Sequence, residues 1–207
     1  MSRKMLGRIG RMTVGLLSVG LLSETPVEAT WRIDIEGGAF VPGSSVTIGN
    51  GGEGDQTEVS TDFNVGGSVA VGGGYSLNDY VELGGQFQSS ISGIDIGIAS
   101  DTFNVSSLTF GPRLYALPST YRVRPWVVGQ IGWYRAHGEV GAFGAGINQT
   151  DNGFGANVGG GMDVAVSQHV SLGVDARYHH PVDVFDGLQF VTTMFNVGLH
   201  FGAADGR

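Results

Sequence analysis

Cysteine is absent, and of 207 residues the one lysine is Lys4. Without Cys there can be no disulfide and no thiolate metal site. Basic residues are scarce altogether. Beyond residue 29 they number seven, all Arg, against seventeen Asp and Glu, a formal charge of −10. Such a chain cannot neutralise a phosphate backbone, so nucleic-acid binding is excluded as a function class. Beyond residue 29 there is also no apolar run of 18 residues and no 3.6-residue periodicity, which excludes a helical membrane span.

The first 29 residues form a separate unit. Arg3, Lys4, Arg8 and Arg11 precede the apolar run 12–22, and Pro26-Val27-Glu28-Ala29 offers a small-residue exit. That order of parts is expected of a cleaved secretory signal peptide, with Thr30 as the first mature residue. A run of about a dozen apolar residues is shorter than the roughly 20 that a spanning helix needs. Residues 30–201 are expected to form one domain, followed by a short tail, 202–207.

What fills residues 30–201 is alternation with period two, the signature of strands whose side chains point to opposite faces. Near the C-terminus Val191, Thr193, Phe195, Val197, Leu199 and Phe201 oppose Thr192, Met194, Asn196, Gly198 and His200. Trp31, Ile33, Ile35 and Val41 oppose Arg32, Asp34 and Glu36 over 31–41. Over 63–75, Phe63, Val65, Val69, Val71 and Tyr75 oppose Asn64, Ser68 and Ala70. Val81, Leu83, Phe87 and Ile91 then oppose Glu82, Gln86, Gln88 and Ser90, and Leu108, Phe110, Leu114 and Ala116 oppose Thr109, Arg113 and Tyr115. A fifth strand, 123–135, sets Val127, Ile131 and Trp133 against Arg124, Gln130 and Tyr134. Phe154, Ala156, Val158, Met162 and Val164 face away from Asn157 and Asp163. Val170, Leu172, Val174, Ala176 and Tyr178 face away from Ser171, Asp175, Arg177 and His179.

Eight such strands have connections of alternating length. Segments 76–79, 117–122 and 167–169 read as short turns, and segments near 42–61, 92–102, 136–152 and 181–189 as long polar loops. Short turns on one rim and long loops on the other are expected of an outer-membrane barrel, with turns and both termini periplasmic and loops extracellular. A soluble barrel around a ligand would also alternate, with its apolar face inward. Mid-strand Asp, Glu and Arg on the polar face suit a narrow membrane-barrel interior better. So do the aromatics near strand ends, Trp31, Phe63, Tyr75, Tyr80, Trp133, Tyr178 and Phe201, which are placed as interfacial girdles. The expected fold is therefore all-β: an eight-stranded antiparallel transmembrane barrel in a bacterial outer membrane.

The run Gly74-Tyr75-Ser76-Leu77-Asn78-Asp79-Tyr80-Val81-Glu82-Leu83-Gly84 is a turn and upstroke that resembles the eight-stranded outer-membrane family, which includes the transmembrane domain of outer membrane protein A. Gly159-Gly160-Gly161-Met162-Asp163, leading into Val170-Ser171-Leu172-Gly173-Val174-Asp175-Ala176-Arg177-Tyr178, echoes it. The resemblance spans residues 30–201 and implies the outer-membrane lipid and the barrel assembly machinery as partners. The chain departs from the family's frequent terminal Phe, because Gly202-Ala203-Ala204-Asp205-Gly206-Arg207 follows Phe201, and these six residues are too few for a peptidoglycan-binding domain, so that anchoring role is not expected to carry over.

The inward charges Arg32, Asp34, Glu36, Glu82, Arg113, Arg124, Asp163, Asp175 and Arg177 allow two readings, a polar conduit or a paired-charge plug. In so narrow a barrel side chains fill the lumen and buried charges must pair, so the plug is expected. Arg suits it, since its planar fork meets carboxylates bidentately. His179 and His180 point to opposite faces and cannot chelate one ion, and His137 stands near another loop. His179 with Asp175 imitates a hydrolase pair, but Ser171 on the same face is four positions beyond Asp175, about 13 Å at 3.3 Å per residue, and farther still from His179, too far to be activated. Gly141, Gly144 and Gly146 lack the helix that a phosphate loop requires. Asn104-Val105-Ser106 and Asn148-Gln149-Thr150 match a glycosylation pattern without meaning in this compartment. The expectation is a structural or surface-interaction protein with acidic loops facing an extracellular ligand, without cofactor, metal or catalytic residues. The alternatives are a low-conductance pore and a lipid-modifying hydrolase.

Overall fold

A computed structural model describes residues 30–43, 65–95, 100–142, 145–182, 184 and 188–202. The 1–29 segment, Phe63, Asn64 and the 203–207 tail lie outside them. Eight antiparallel strands follow in chain order: β1 Trp31–Pro42, β2 Gly66–Ser76, β3 Val81–Asp95, β4 Ser100–Tyr115, β5 Val123–Ala142, β6 Ala145–Ala165, β7 Val170–Pro181 and β8 Phe190–Phe201. Each pairs with its neighbour in sequence, and β8 returns to β1 in register from Trp31↔Phe201 to Pro42↔Phe190, closing the sheet. Closure leaves no unpaired edge, as spanning lipid with strands requires. No helix is present among the described residues.

The faces follow the alternation in the sequence. Ile35, Ile131 and Phe195 are 61%, 72% and 72% exposed, while Arg32, Asp34, Arg177 and Asp175 on the opposite face are buried. A soluble protein would hide the first set and solvate the second, so this distribution calls for an apolar solvent outside the barrel.

The loop boundaries differ from expectation. Segments 92–102 and 136–152 are not long loops: they are mostly strand. β3 and β4 pair out to Asp95↔Ser100, and β5 and β6 pair out to Ala142↔Ala145. The fifth strand thus ends at Ala142 rather than at 135. The Gly and Asn residues that read as breakers sit in ladders continued by their neighbours, because inward Phe103, Val105 and Ala136 stay buried and hold the hairpins together. At 20 and 21 residues, β5 and β6 are about twice the 9–11 that a tilted spanning strand needs. They form a ribbon standing beyond the barrel on the side opposite the short turns 77–80, 116–122 and 166–169.

Candidate functional site: the barrel interior

The lumen is filled in layers. Nearest the short turns, β1 supplies Arg32, whose Nη2 lies 2.8 Å from Asp34 Oδ2 and whose Nη1 lies 2.6 Å from Asp163 Oδ2 on β6. Glu82 Oε1 on β3 is 3.5 Å from the same guanidinium. Arg113 on β4 stands farther from these three carboxylates, at 3.7–3.9 Å. Tyr115 closes the group, accepting from Arg32 at 2.8 Å and donating toward Glu82 at 3.3 Å. Arg32 is the hub because it approaches the same three carboxylates more closely than Arg113 does, at 2.6–3.5 Å against 3.7–3.9 Å.

One layer up, Arg177 on β7 pairs with Asp175 at 3.1 Å and Glu36 at 3.2 Å, and donates to Gln86 Oε1. Gln86 in turn donates to Glu36 Oε2 at 2.6 Å. Trp126 stacks between the layers, with the Arg113 guanidinium 4.2 Å and that of Arg177 5.8 Å from its ring centre. Such cation–π contacts favour desolvated guanidinium. Inward Gly161 makes room for that ring, since a Cβ there would come within 2.6 Å of it.

Next comes a neutral polar layer. Thr109 donates to Gln130 at 2.9 Å, and Ser68 and Ser90 share a bond of 2.9 Å. His179 bonds Tyr134 through Nδ1 at 3.2 Å and Thr192 through Nε2 at 3.1 Å, and stacks on Phe190 with centroids 4.4 Å apart. At the loop end the lumen turns apolar. Phe40, Phe103, Val105, Tyr134, Ala136 and Phe190 point inward, and Val184 and Leu188 of the β7–β8 connection fold down onto them. A turn bond from Leu188 N to Val184 O (3.0 Å) and a bond from Gly43 N to Gln189 O (2.7 Å) hold that connection over the mouth.

An interior cavity lined by Asp34, Glu36, Glu82, Gln86, Arg113, Gln130 and Arg177 measures about 10 Å³. That is the space one water needs.

Eight of the nine expected network charges therefore meet in the two lower layers. Arg124 takes another place. Part-buried at the turn rim, it donates to the carbonyls of Asp79 (2.7 Å) and Leu117 (3.3 Å) and stacks 3.7 Å over Tyr115. Of the aromatics, Trp31, Tyr75 and Phe201 share one level on the outer face, Trp31 and Tyr75 with rings 4.8 Å apart, and exposed Tyr80 stands in the adjacent turn. Trp133 and Tyr178 lie toward the other rim, and Trp133 meets Phe154 edge-on at 5.2 Å. Phe63 lies outside the described residues.

The apolar cap escaped the reading of the sequence, as did Trp126 and Val128. The signal was parity: Phe40 shares the parity of Glu36, and Trp126 that of Gln130. The hydrolase pairing of His179 with Asp175 does not form, since Asp175 pairs with Arg177 and both His179 nitrogens are bonded within the lumen. Ser171 instead shares a 2.9 Å bond with His200 Nε2. His180 points away from the lumen. Among the described residues no three His, Asp or Glu side chains converge as a metal site.

A closed eight-stranded sheet, apolar outside and packed with paired charge inside, is a transmembrane β-barrel. The chain belongs to the family described as outer membrane protein beta-barrel domain, whose model matches residues 14–201. Among curated proteins no sequence matches it significantly. Solved structures share the fold at low identity. Neisserial surface protein A has a TM-score of 0.60 at 16% identity, over 84% of this chain and 97% of that one. Ail, the attachment invasion locus protein of Yersinia pestis, gives 0.56 at 16%, over 84% and 100%. OprG of Pseudomonas aeruginosa gives 0.56 at 12%, over 86% and 98%. The chain is thus an integral protein of a bacterial outer membrane.

Proposed function

We propose that the barrel is a closed, non-conducting post whose work is done by the segments beyond its apolar cap. The carrying observation is the filled lumen: two charged layers, a polar layer and an apolar cap occupy it, and the cavity among the charged layers has room for about one water. A solute would have to break buried ion pairs and displace Leu188 and Val184 to pass.

The segments beyond the cap have a uniform character. Glu53, Asp55, Glu58, Asp62, Asp183 and Asp186 fall in the connections on that side, and Asp95, Asp101, Glu139 and Asp151 in the strand ends that lead to the other two; residues 43–65, 95–101, 136–152 and 182–189 contain no Lys or Arg. We assign these connections to the outside of the cell and the turns to the periplasm. Ail is seen with the heparin analogue sucrose octasulfate. A polyanion of that kind would be repelled here, so the partner of this chain is a cationic surface.

Binding of the barrel in nanodiscs to polylysine and to heparin surfaces tests this. Retention on polylysine, weakened severalfold between 50 and 200 mM salt and lost when the ten acids are changed to Asn or Gln, is expected. Equal binding to heparin, or retention unaffected by neutralising the acids, would overturn the reading. The lumen uses its buried groups in structural pairs, and we propose no catalytic role for them.

A further inference from the structure

The lower half of the lumen holds five carboxylates, Asp34, Glu36, Glu82, Asp163 and Asp175, but three guanidinium groups, Arg32, Arg113 and Arg177. Arg124 sits at the rim on backbone carbonyls, and even with its charge the acids remain in excess. Unpaired buried charge is among the costliest features a fold can carry, so the excess requires a partner.

Certain oxygens mark where that partner belongs. Asp34 and Asp163 each give Oδ2 to Arg32, while their Oδ1 atoms are buried with no hydrogen-bond partner, as is Asn196 Oδ1. All three side chains are more than nine-tenths buried. The free oxygens gather over two inward glycines on adjacent strands, Gly173 on β7 and Gly198 on β8. Asp163 Oδ1 and Asn196 Oδ1 lie 2.5 and 2.7 Å from where a Gly173 Cβ would stand. Ser171 Oγ and Asp34 Oδ1 lie 2.5 and 3.0 Å from the equivalent point at Gly198. The sheet register places these groups in two neighbouring rows, Asp34–Gly198–Ser171 and Asp163–Gly173–Asn196. Without the glycines neither row of oxygens could approach the sheet.

We propose that this glycine-floored pocket at the turn end of the lumen binds one hard divalent cation through Asp34, Asp163, Asn196 and Ser171. Two carboxylates completed by amide and hydroxyl oxygens are a hard, all-oxygen set, which suits calcium with its flexible geometry better than magnesium. Two positive charges match the excess of five carboxylates over three guanidinium groups. Arg32 does not compete, because it holds the Oδ2 atoms and leaves the Oδ1 atoms free, so each carboxylate bridges guanidinium and ion. Part-buried His200, beside Ser171 at the rim, marks the side of entry.

The test uses barrel extracted from membranes, freed of lipopolysaccharide, treated with chelator and held in a zwitterionic detergent. Calcium is then measured by equilibrium dialysis and elemental analysis, with a shift in gel mobility on boiling as the check for folding. About one calcium per barrel and a higher urea midpoint with calcium than with chelator are expected. Changing the ten loop acids to amides should leave that stoichiometry intact. Asn196→Ala, or Gly173→Ala, whose new methyl group enters the pocket, should abolish binding. Ser171→Ala removes a single neutral ligand, leaves the charges in place to preserve folding, and should weaken binding about tenfold. Either of two results would overturn the proposal: no calcium bound at millimolar concentration by the folded unmodified barrel, the excess then being carried by protons, or calcium retained by folded Asn196→Ala and Ser171→Ala and lost with the loop acids.

Discussion

The two ends of the lumen are built from the same strands and obey opposite rules. Near the turns Arg32, Asp34, Glu82, Arg113 and Asp163 pack charge on charge, while near the loops Phe40, Phe103, Val105 and Phe190 pack as a soluble core does. The cap stabilises by removing apolar surface from water, a non-directional effect that tolerates small shifts. The charged layers offset a large desolvation cost only when every partner is in place. One end is therefore forgiving and the other is not. The forgiving end is also where the β7–β8 connection folds in and where the paired strands run on beyond the barrel.

Removing Arg32 should have the largest effect. Arg32→Ala strands Asp34, Asp163 and Glu82 together and should cost about 3–5 kcal/mol in urea unfolding. Arg113→Ala should cost less, since Arg113 stands at 3.7–3.9 Å from the same carboxylates. Equal losses would show that no hub exists. In the Arg177 layer, a double-mutant cycle of Arg177→Met and Asp175→Leu should show strong coupling, with the double variant recovering part of the single-variant loss. Additive losses would mean that this pair is not a unit.

On the outer face, Val197→Arg or Leu172→Arg should destabilise by about 2–4 kcal/mol near the midplane, whereas arginine in place of Gln149, out in the β5–β6 ribbon, should be nearly neutral. Equal effects at the three positions would put the membrane in the wrong place. In the cap, Leu188→Ala should cost about 2 kcal/mol, at the low end for a buried leucine, because the neighbouring connection can settle into the space. A loss as large as that of Arg32→Ala would erase the contrast between the two ends. The smallest loss among the lumen positions is expected in the neutral layer, where Thr192→Ala removes one bond to His179 at about 1 kcal/mol. Denaturant midpoints of folded barrel, identified by heat-dependent gel mobility, read out all of these.

The strands and the direction of every face were legible because period two survives any sequence detail that keeps one side wet and the other apolar. Arg32, Asp34 and Glu36 against Ile33 and Ile35 decide the orientation of β1 without help from the fold. Partnership was not legible. Arg32 and Asp163 lie 131 positions apart, and only closure of the sheet and the narrowness of the lumen bring β1 against β6. Local composition misled in 136–152, where Gly and Asn read as a loop although Ala136 and Val140 continue the ladder opposite Asp151 and Ile147. Trp126, beside Pro125, shares the parity of Arg124 and Gln130 but was not placed on the inward face with them. In β5 that proline faces outward while the ladder continues through its neighbours on either side.

The central claim is that side chains close the lumen at both ends, and planar-bilayer recording tests it most directly. Purified folded barrel, shown to have inserted by protection of its strands from protease, should leave the membrane closed to ions, and Arg113→Ala should lower stability without opening it. Steady, stepwise conductance from the unmodified barrel, with an ion selectivity that changes in Arg113→Ala, would contradict the account and make the lumen a path.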